Sequence, residues 1–121
     1  GIYLSGGEGF GLIPIEAMAT GLPMIVANNT GMMEYLRPGN HLPVACRDLA
    51  RDAGHSLSFG YDAMTYLPEY EEAVAQIRWA YDHRDELRVV GRRGAEAARE
   101  WDWRAQTAKA VAHIVAYVES H

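Results

Sequence analysis

The segment of residues 5–21 constrains the fold more strongly than any other stretch. It follows a short apolar run at residues 2–4, which predicts a buried strand. The loop after that run holds four glycines in seven residues and can bring its backbone close to a ligand. Pro14 is tolerated only in the first turn of a helix, so we predict Gly11 as N-cap and Leu12 as the first helical residue. This order of strand, loop and helix presents free N–H groups and a partial positive charge to a phosphate.

Two glutamates flank this predicted phosphate site. Glu8 lies in the loop, and Glu16 lies about one turn into the helix, on the same edge as Leu12. An ionised carboxylate only accepts hydrogen bonds, so it suits the hydroxyls of ribose or of another sugar. Amide donors between two carboxylates therefore match the shape of a nucleotide-sugar. The residues alone leave a second interpretation open, in which the loop is a tight turn before a core helix and both glutamates are solvated.

A second apolar run at residues 24–27 predicts a strand parallel to the first, joined to it by a right-handed crossover. Ligands of such sheets bind outside the carboxyl ends of the strands. The loop after the second strand reaches that end, and its residues Asn29, Thr30 and Gly31 are candidates for the pocket floor. Asn29 or Thr30 also suits the N-cap of a short helix over residues 32–36.

One more strand and a short helix are expected before the C-terminal part of the chain. Residues 42–45 predict the strand, and Pro43 places it at a sheet edge. Arg47, Arg51 and Asp52 suggest the short helix.

Three longer helices complete the prediction. Pro68 opens the first helix and Asp85 the second, where small residues permit close approach of a neighbouring helix. Asp102 caps the terminal helix over residues 103–120, and Trp103 is interpreted as an anchor in the core.

One run of residues is highly specific: Glu8-Gly9-Phe10-Gly11-Leu12, then Pro14, Glu16-Ala17-Met18-Ala19 and Gly21-Leu22-Pro23. It resembles the signature of the family 4 (group 1) glycosyltransferases, which are retaining enzymes of the GT-B fold with two Rossmann-like domains. The resemblance implies an α/β class: a partial Rossmann-like GT-B C-terminal domain, with a short parallel sheet and C-terminal helices. Residues 1–121 would be the C-terminal part of the nucleotide-sugar-binding domain, with an insertion at residues 46–67.

The resemblance also implies roles for the site residues. The amides of Gly9, Phe10, Gly11 and Leu12 would hold the donor diphosphate. Glu16 would bind the ribose hydroxyls, and Glu8 would be the catalytic residue that binds hydroxyls of the transferred sugar. Phe10 is interpreted as a loop anchor. A nucleoside diphosphate sugar would be the donor substrate, and no cofactor is expected.

The resemblance further implies a partner for this chain. The acceptor-binding N-terminal domain would belong to the same protein, and the cationic residues that clamp the diphosphate would lie upstream of residue 1. The chain alone is therefore expected to be inactive. With its inner neighbours absent, the first strand has an unpaired side, which predicts self-association of the fragment.

Composition argues against several other classes of protein. The net charge is −5 and no basic run exceeds two arginines, so no nucleic-acid partner is expected. No apolar run approaches the roughly 20 residues of a membrane span. The single cysteine fits a reducing compartment, which predicts a cytoplasmic location. The five histidines show no metal-ligand spacing, so no metal site is expected.

Two other functions remain open from the sequence. One is a non-hydrolysing nucleotide-sugar epimerase, which also has two Rossmann-like domains. The other is a non-catalytic nucleotide-binding or interaction domain. A Rossmann dehydrogenase is disfavoured because the G-x-G-x-x-G spacing does not follow the first strand.

Overall fold

The chain forms a mixed α/β structure with a short parallel sheet and C-terminal helices, as predicted. The computed structural model describes residues 1–51 and 64–121. In chain order, the elements are β1 (Ile2–Tyr3), α1 (Leu12–Ala19), β2 (Ile25–Ala27), a 3₁₀ helix (Thr30–Glu34), β3 (Leu42–Val44), β4 (Cys46–Arg51), β5 (Met64–Pro68), α2 (Tyr70–Asp82), α3 (Arg84–Arg99) and α4 (Trp103–Ser120). This arrangement is consistent with a partial Rossmann-like fold.

The parallel sheet has the strand order β1-β2-β3. Ile2 pairs with Ile25, and Ile25 pairs with Leu42. The strand β3 lies at one edge, where the missing N–H of Pro43 costs the sheet no hydrogen bond, as the sequence predicts. Because the three strands are parallel, the loops that leave β1 and β2 at their carboxyl ends lie at the same end of the sheet.

The central strand β2 is buried on both faces, which explains its uninterrupted apolar sequence. Val26 faces a core formed by α1, the 3₁₀ helix and the end of α3, and Ile25 faces a second core against α2 and α3. Alternation along a strand sends neighbouring side chains to opposite faces. The sheet thus separates two apolar layers.

Helix α1 ends as its sequence predicts. Gly21 has a φ of 82°, and its N–H donates to the Met18 carbonyl at 2.8 Å. The N–H of Leu22 donates to the Ala17 carbonyl at 3.3 Å, which completes a Schellman motif. Helix α3 packs closely on this end of α1. The contact is so close that a Cβ added at Gly91 would overlap the Gly21 carbonyl.

Three predictions about elements were wrong or incomplete. Pro68 ends β5, where it pairs with Cys46, and α2 begins at Tyr70. Antiparallel pairing of β4 with β5 keeps Pro68 extended. Arg47 lies in β4, so no short helix forms there, and Asp52 lies outside the described residues. The segment of residues 32–36 forms a 3₁₀ helix that begins earlier, at Thr30. The insertion expected at residues 46–67 stays a prediction: the segment holds β4 and most of β5, and its residues 52–63 lie outside the described part of the chain.

The two tryptophans near the start of α4 also differ from the prediction. Trp103 is 76% exposed and is not a core anchor. Trp101 packs against the core instead. Asp102 caps α4 as predicted, and its Oδ1 accepts hydrogen bonds from the amides of Arg104 and Ala105.

Candidate functional site

The glycine loop ends at Gly11, which is the N-cap of α1 as predicted. Its φ of 80° and ψ of 65° lie in the left-handed region, which glycine adopts without steric cost. A Cβ here would lie 2.5 Å from Met32 Cγ and 2.7 Å from the Tyr35 hydroxyl. That hydroxyl donates to the buried Gly11 carbonyl at 2.7 Å. The helix therefore starts where a buried tyrosine holds the backbone.

The loop after β2 braces the glycine loop. The N–H of Gly31 donates to the Glu8 carbonyl at 3.1 Å, and the N–H of Glu8 donates to Thr30 Oγ1 at 2.8 Å. A Cβ at Gly31 would overlap the Gly9 carbonyl, so only glycine allows this close approach. The two loops at the carboxyl edge of the sheet are thus in direct contact.

Asn29 and Thr30 act as supports within this contact. Asn29 is 4% exposed, and its Nδ2 donates to the Ser5 carbonyl at 2.8 Å. Its Oδ1 accepts from the Thr30 hydroxyl at 2.9 Å. Thr30 has a φ of 42°, a left-handed conformation that is uncommon outside glycine. Since the polar atoms of Asn29 are used inside the protein, its visible role is to hold the loop.

Three amides of the glycine loop make no hydrogen bond within the described part of the chain. Within residues 1–51 and 64–121, the N–H groups of Gly9, Phe10 and Gly11 have no hydrogen-bond partner. The first N–H groups of α1, beginning at Leu12, also lack intrahelical acceptors. Unpaired amide donors in front of a helix N-terminus are the arrangement that the sequence predicts for an anion site.

Phe10 anchors the loop, as predicted. Its ring lies 5.3 Å from that of Tyr35 in an edge-to-face arrangement and 4.9 Å from that of Trp101. These contacts connect the loop to the core and to the chain before α4.

Glu8 is half-buried, and its carboxylate accepts a hydrogen bond from the hydroxyl of Tyr3. This bond, together with burial, raises the pKa of Tyr3 above its ordinary value. Burial, with the nearby charge of Glu8, also raises the pKa of Tyr35. Both tyrosines therefore stay protonated at neutral pH and act as hydrogen-bond donors.

Glu16 is exposed and lines a cavity of about 720 Å³ between α1, the end of α3 and the start of α4. Leu12 shares this lining, which confirms that both residues lie on one edge of α1. The described residues that line the cavity do not include Glu8. The two carboxylates thus lie in different surroundings, with Phe10 between them in sequence. The other lining residues are mostly apolar: Phe10, Ile15, Ala19, Ala95, Ala98, Arg99, Trp101, Asp102, Trp103 and Gln106.

The sequence alone assigns no site role to three residues of this region: Tyr3, Tyr35 and Trp101. The sequence predicts Tyr3 only as part of a strand and Tyr35 only as part of a short helix. The Tyr3 hydroxyl bonds to Glu8, 5 positions away in sequence, and the Tyr35 hydroxyl bonds to Gly11, 24 positions away. These two separations follow no regular spacing. No sequence pattern signals such contacts.

The described residues contain neither a cluster of metal ligands nor a helix suited to span a membrane. Within the described ranges, no group of three His, Cys, Asp or Glu side chains is arranged to hold a metal ion. Among the helices in those ranges, none combines the length and the apolar character needed to cross a bilayer.

Comparison with known proteins adds a family likeness. The family model described as "Glycosyl transferases group 1" matches residues 2–49, which include β1, the glycine loop, α1 and the bracing loop. The chain is also similar to the sulfoquinovosyl transferase of Arabidopsis thaliana, at 26% identity over 102 residues. That match covers 84% of this chain and 17% of the relative, so the chain spans about a sixth of its length. The segment that resembles this family is thus the one that holds the glycine loop and α1.

Proposed function

We propose that this chain is the donor-binding portion of a retaining GT-B glycosyltransferase, which moves a sugar from a nucleoside diphosphate sugar to an acceptor. One observation carries the proposal. Within the described residues, the amides of Gly9, Phe10 and Gly11 make no hydrogen bond; they lie in the braced glycine loop just before α1, with a carboxylate on each side in sequence. The family likeness falls on this same segment.

The amides supply the electrostatic part of the proposed reaction. Charge builds up on the diphosphate as its bond to the sugar breaks, and donors fixed in advance stabilise that charge without reorganising. The contacts of the loop with Gly31 and Thr30 hold these donors in place before a ligand arrives. The N-terminus of α1 adds its partial positive charge.

Glu16 is proposed to bind the ribose. Its exposed carboxylate can accept two hydroxyl donors of a ribose, and it lies on the same helix edge as Leu12, whose amide belongs to the anion site. The neighbouring cavity leaves room for the ligand around this side chain.

Glu8 is proposed to bind hydroxyls of the transferred sugar. In the retaining reaction, the bond between the anomeric carbon and the diphosphate oxygen breaks. A bond from the acceptor oxygen forms on the same face, and the leaving diphosphate takes the proton of the acceptor. Glu8 then stabilises positive charge on the sugar and does not form a covalent bond.

The test uses the full-length parent protein with a panel of nucleotide-sugars. We expect transfer from at least one donor with retention of anomeric configuration. We also expect Glu16→Gln to raise the donor KM about tenfold, because one charge-assisted bond is lost. Glu71→Gln, at an exposed position of α2, is the matched control and should not change KM.

Three outcomes would contradict the proposal. Absence of transfer with every donor would remove it. Interconversion of one donor sugar into its epimer would favour a non-hydrolysing epimerase, and nucleotide binding without turnover would favour a non-catalytic domain.

Isolated residues 1–121 are proposed to be inactive and to bind donor only weakly. Each charge-assisted contact is worth roughly 1.5–3 kcal/mol, and the proposed cationic clamp and N-terminal domain lie outside this chain. Isothermal titration of the 121-residue chain should show no micromolar affinity for any nucleotide-sugar. Micromolar binding would show that the chain holds the donor without those parts.

We also propose a cytoplasmic location for the protein.

A separate proposal is that the isolated chain self-associates. Among the described strands, β1 pairs only with β2, so one edge is open to another strand. Sedimentation of the 121-residue chain at rising concentration tests this, and a monomer throughout would contradict it.

A further inference from the structure

We propose that Tyr3 is a positioning residue that holds the Glu8 carboxylate in the orientation needed for sugar transfer. The inference rests on the proposed function. Its basis is the hydrogen bond from the Tyr3 hydroxyl to Glu8 Oε1, which joins the last residue of β1 to the loop that follows.

The hydroxyl of Tyr3 is itself fixed by the fold. Tyr3 pairs with Val26 in the parallel sheet, and its ring packs against the core beneath α1. A donor placed by a strand and a core has little freedom to move. Tyr3 can therefore set the direction of a side chain that bonds to it.

The backbone of Glu8 is held independently of its side chain. Its N–H bonds to Thr30 and its carbonyl to Gly31, at 2.8 and 3.1 Å. What remains free in Glu8 is rotation about its side-chain bonds, which costs free energy to restrict during substrate binding. The bond to Tyr3 restricts this rotation in advance.

The partner of the Glu8 carboxylate is a hydroxyl and not a cation. In residues 1–51 and 64–121 the ion pair found is Arg47 with Glu69, and no cation lies within bridging distance of Glu8. A hydroxyl donor orients one carboxylate oxygen, and the second oxygen remains an acceptor for a substrate hydroxyl. A lysine or arginine partner would instead cancel the negative charge needed opposite a cationic transition state.

The pairing can be tested without any substrate. The full-length protein is labelled at tyrosine Cζ, and the pKa of Tyr3 is followed by NMR, with its signal assigned by its loss in Tyr3→Phe. Since the bond to Glu8 raises the pKa of Tyr3, Glu8→Gln should lower it. An unchanged pKa in Glu8→Gln would overturn the pairing.

The positioning role is tested by a double-mutant cycle on transfer activity. Tyr3→Phe keeps the packed ring and should lower kcat about tenfold, with donor KM changed less than about twofold. In the Glu8→Ala background, where residue 8 has no acceptor for the Tyr3 hydroxyl, the same change should cost less than about twofold, because Tyr3 acts through Glu8. Tyr70→Phe, at an exposed tyrosine of α2, is the matched control and should leave kcat unchanged.

The outcomes separate this inference from the proposed function. Equal losses from Tyr3→Phe in both backgrounds, or a wild-type kcat in Tyr3→Phe, would overturn the positioning role while transfer itself stands. A parent protein without transfer activity would overturn both the proposed function and the positioning role, and the NMR titration would still decide whether the two side chains pair.

Discussion

The glycine loop and helix α4 differ in how each is held by the rest of the chain. The loop contacts the 29–31 segment through backbone bonds and the core through Phe10. Helix α4 has a well-formed cap at Asp102, yet its large apolar side chains are exposed. They are Trp103, Val111, Ile114, Val115, Tyr117 and Val118. A local signal is therefore enough to form a helix, whereas a defined site requires contacts from distant segments.

The largest loss of stability is expected where the glycine loop contacts the 29–31 segment. In Gly31→Ala the new Cβ would overlap the Gly9 carbonyl, so both loops must shift and the free energy of unfolding should fall by about 3 kcal/mol. Gly9→Ala is the matched control, because no neighbouring atom of residues 1–51 and 64–121 lies within 4 Å of a Cβ at that position. It should change stability by less than about 1 kcal/mol. Urea unfolding measures both, and equal losses would show that the loops are not in tight contact.

The two tryptophans beside Asp102 give the second test of the comparison. Trp101→Ala removes packing against Phe10 and the core and should cost about 2 kcal/mol. Trp103→Ala removes an exposed side chain and should cost less than about 0.5 kcal/mol. Thermal unfolding of the two variants compares them directly. A larger loss for Trp103 would show that α4 packs on the chain in solution.

A smaller loss is expected at the tyrosine that holds the start of α1. Tyr35→Phe removes the side-chain donor to the buried Gly11 carbonyl, and we expect a loss of about 1.5 kcal/mol. Tyr81→Phe, at a 70% exposed position of α2, should have no measurable effect. If Tyr35→Phe is as stable as the parent chain in urea, the bond does not hold the helix start.

The smallest expected change is in the pH dependence of the free energy of unfolding. His41 is buried, and burial lowers its pKa below the ordinary 6.5, partly offset by the backbone carbonyl of Arg37. The unfolded chain therefore binds a proton more readily than the folded chain. Stability is at its full value above pH 6.5 and falls as the pH drops through the lowered pKa of His41.

Urea unfolding from about pH 7 to about pH 5 measures this dependence. His41→Gln should remove that part of the slope, whereas His113→Gln, at an exposed position of α4, should retain it. A slope that is unchanged in His41→Gln would assign the pH dependence to other groups.

Much of the fold followed from local chemistry. Gly11, Pro14 and Gly21 predicted both ends of α1, and Asp102 predicted the start of α4. Pro68 misled the prediction because proline suits a strand end as well as a helix start, and pairing with Cys46 decided between them. The roles of Glu8 and Glu16 toward a substrate stay predictions.

The sequence by itself determined the order of strand, glycine loop and helix, because backbone geometry at glycine and proline depends on those residues alone. It also carried the likeness to group 1 glycosyl transferases. Only the tertiary structure decided that Tyr3 bonds to Glu8, that Asn29 serves as a support, and that Trp101 packs on the core while Trp103 is exposed. These contacts join segments brought together by the sheet and the cores, and no local pattern in the chain specifies which side chains meet there.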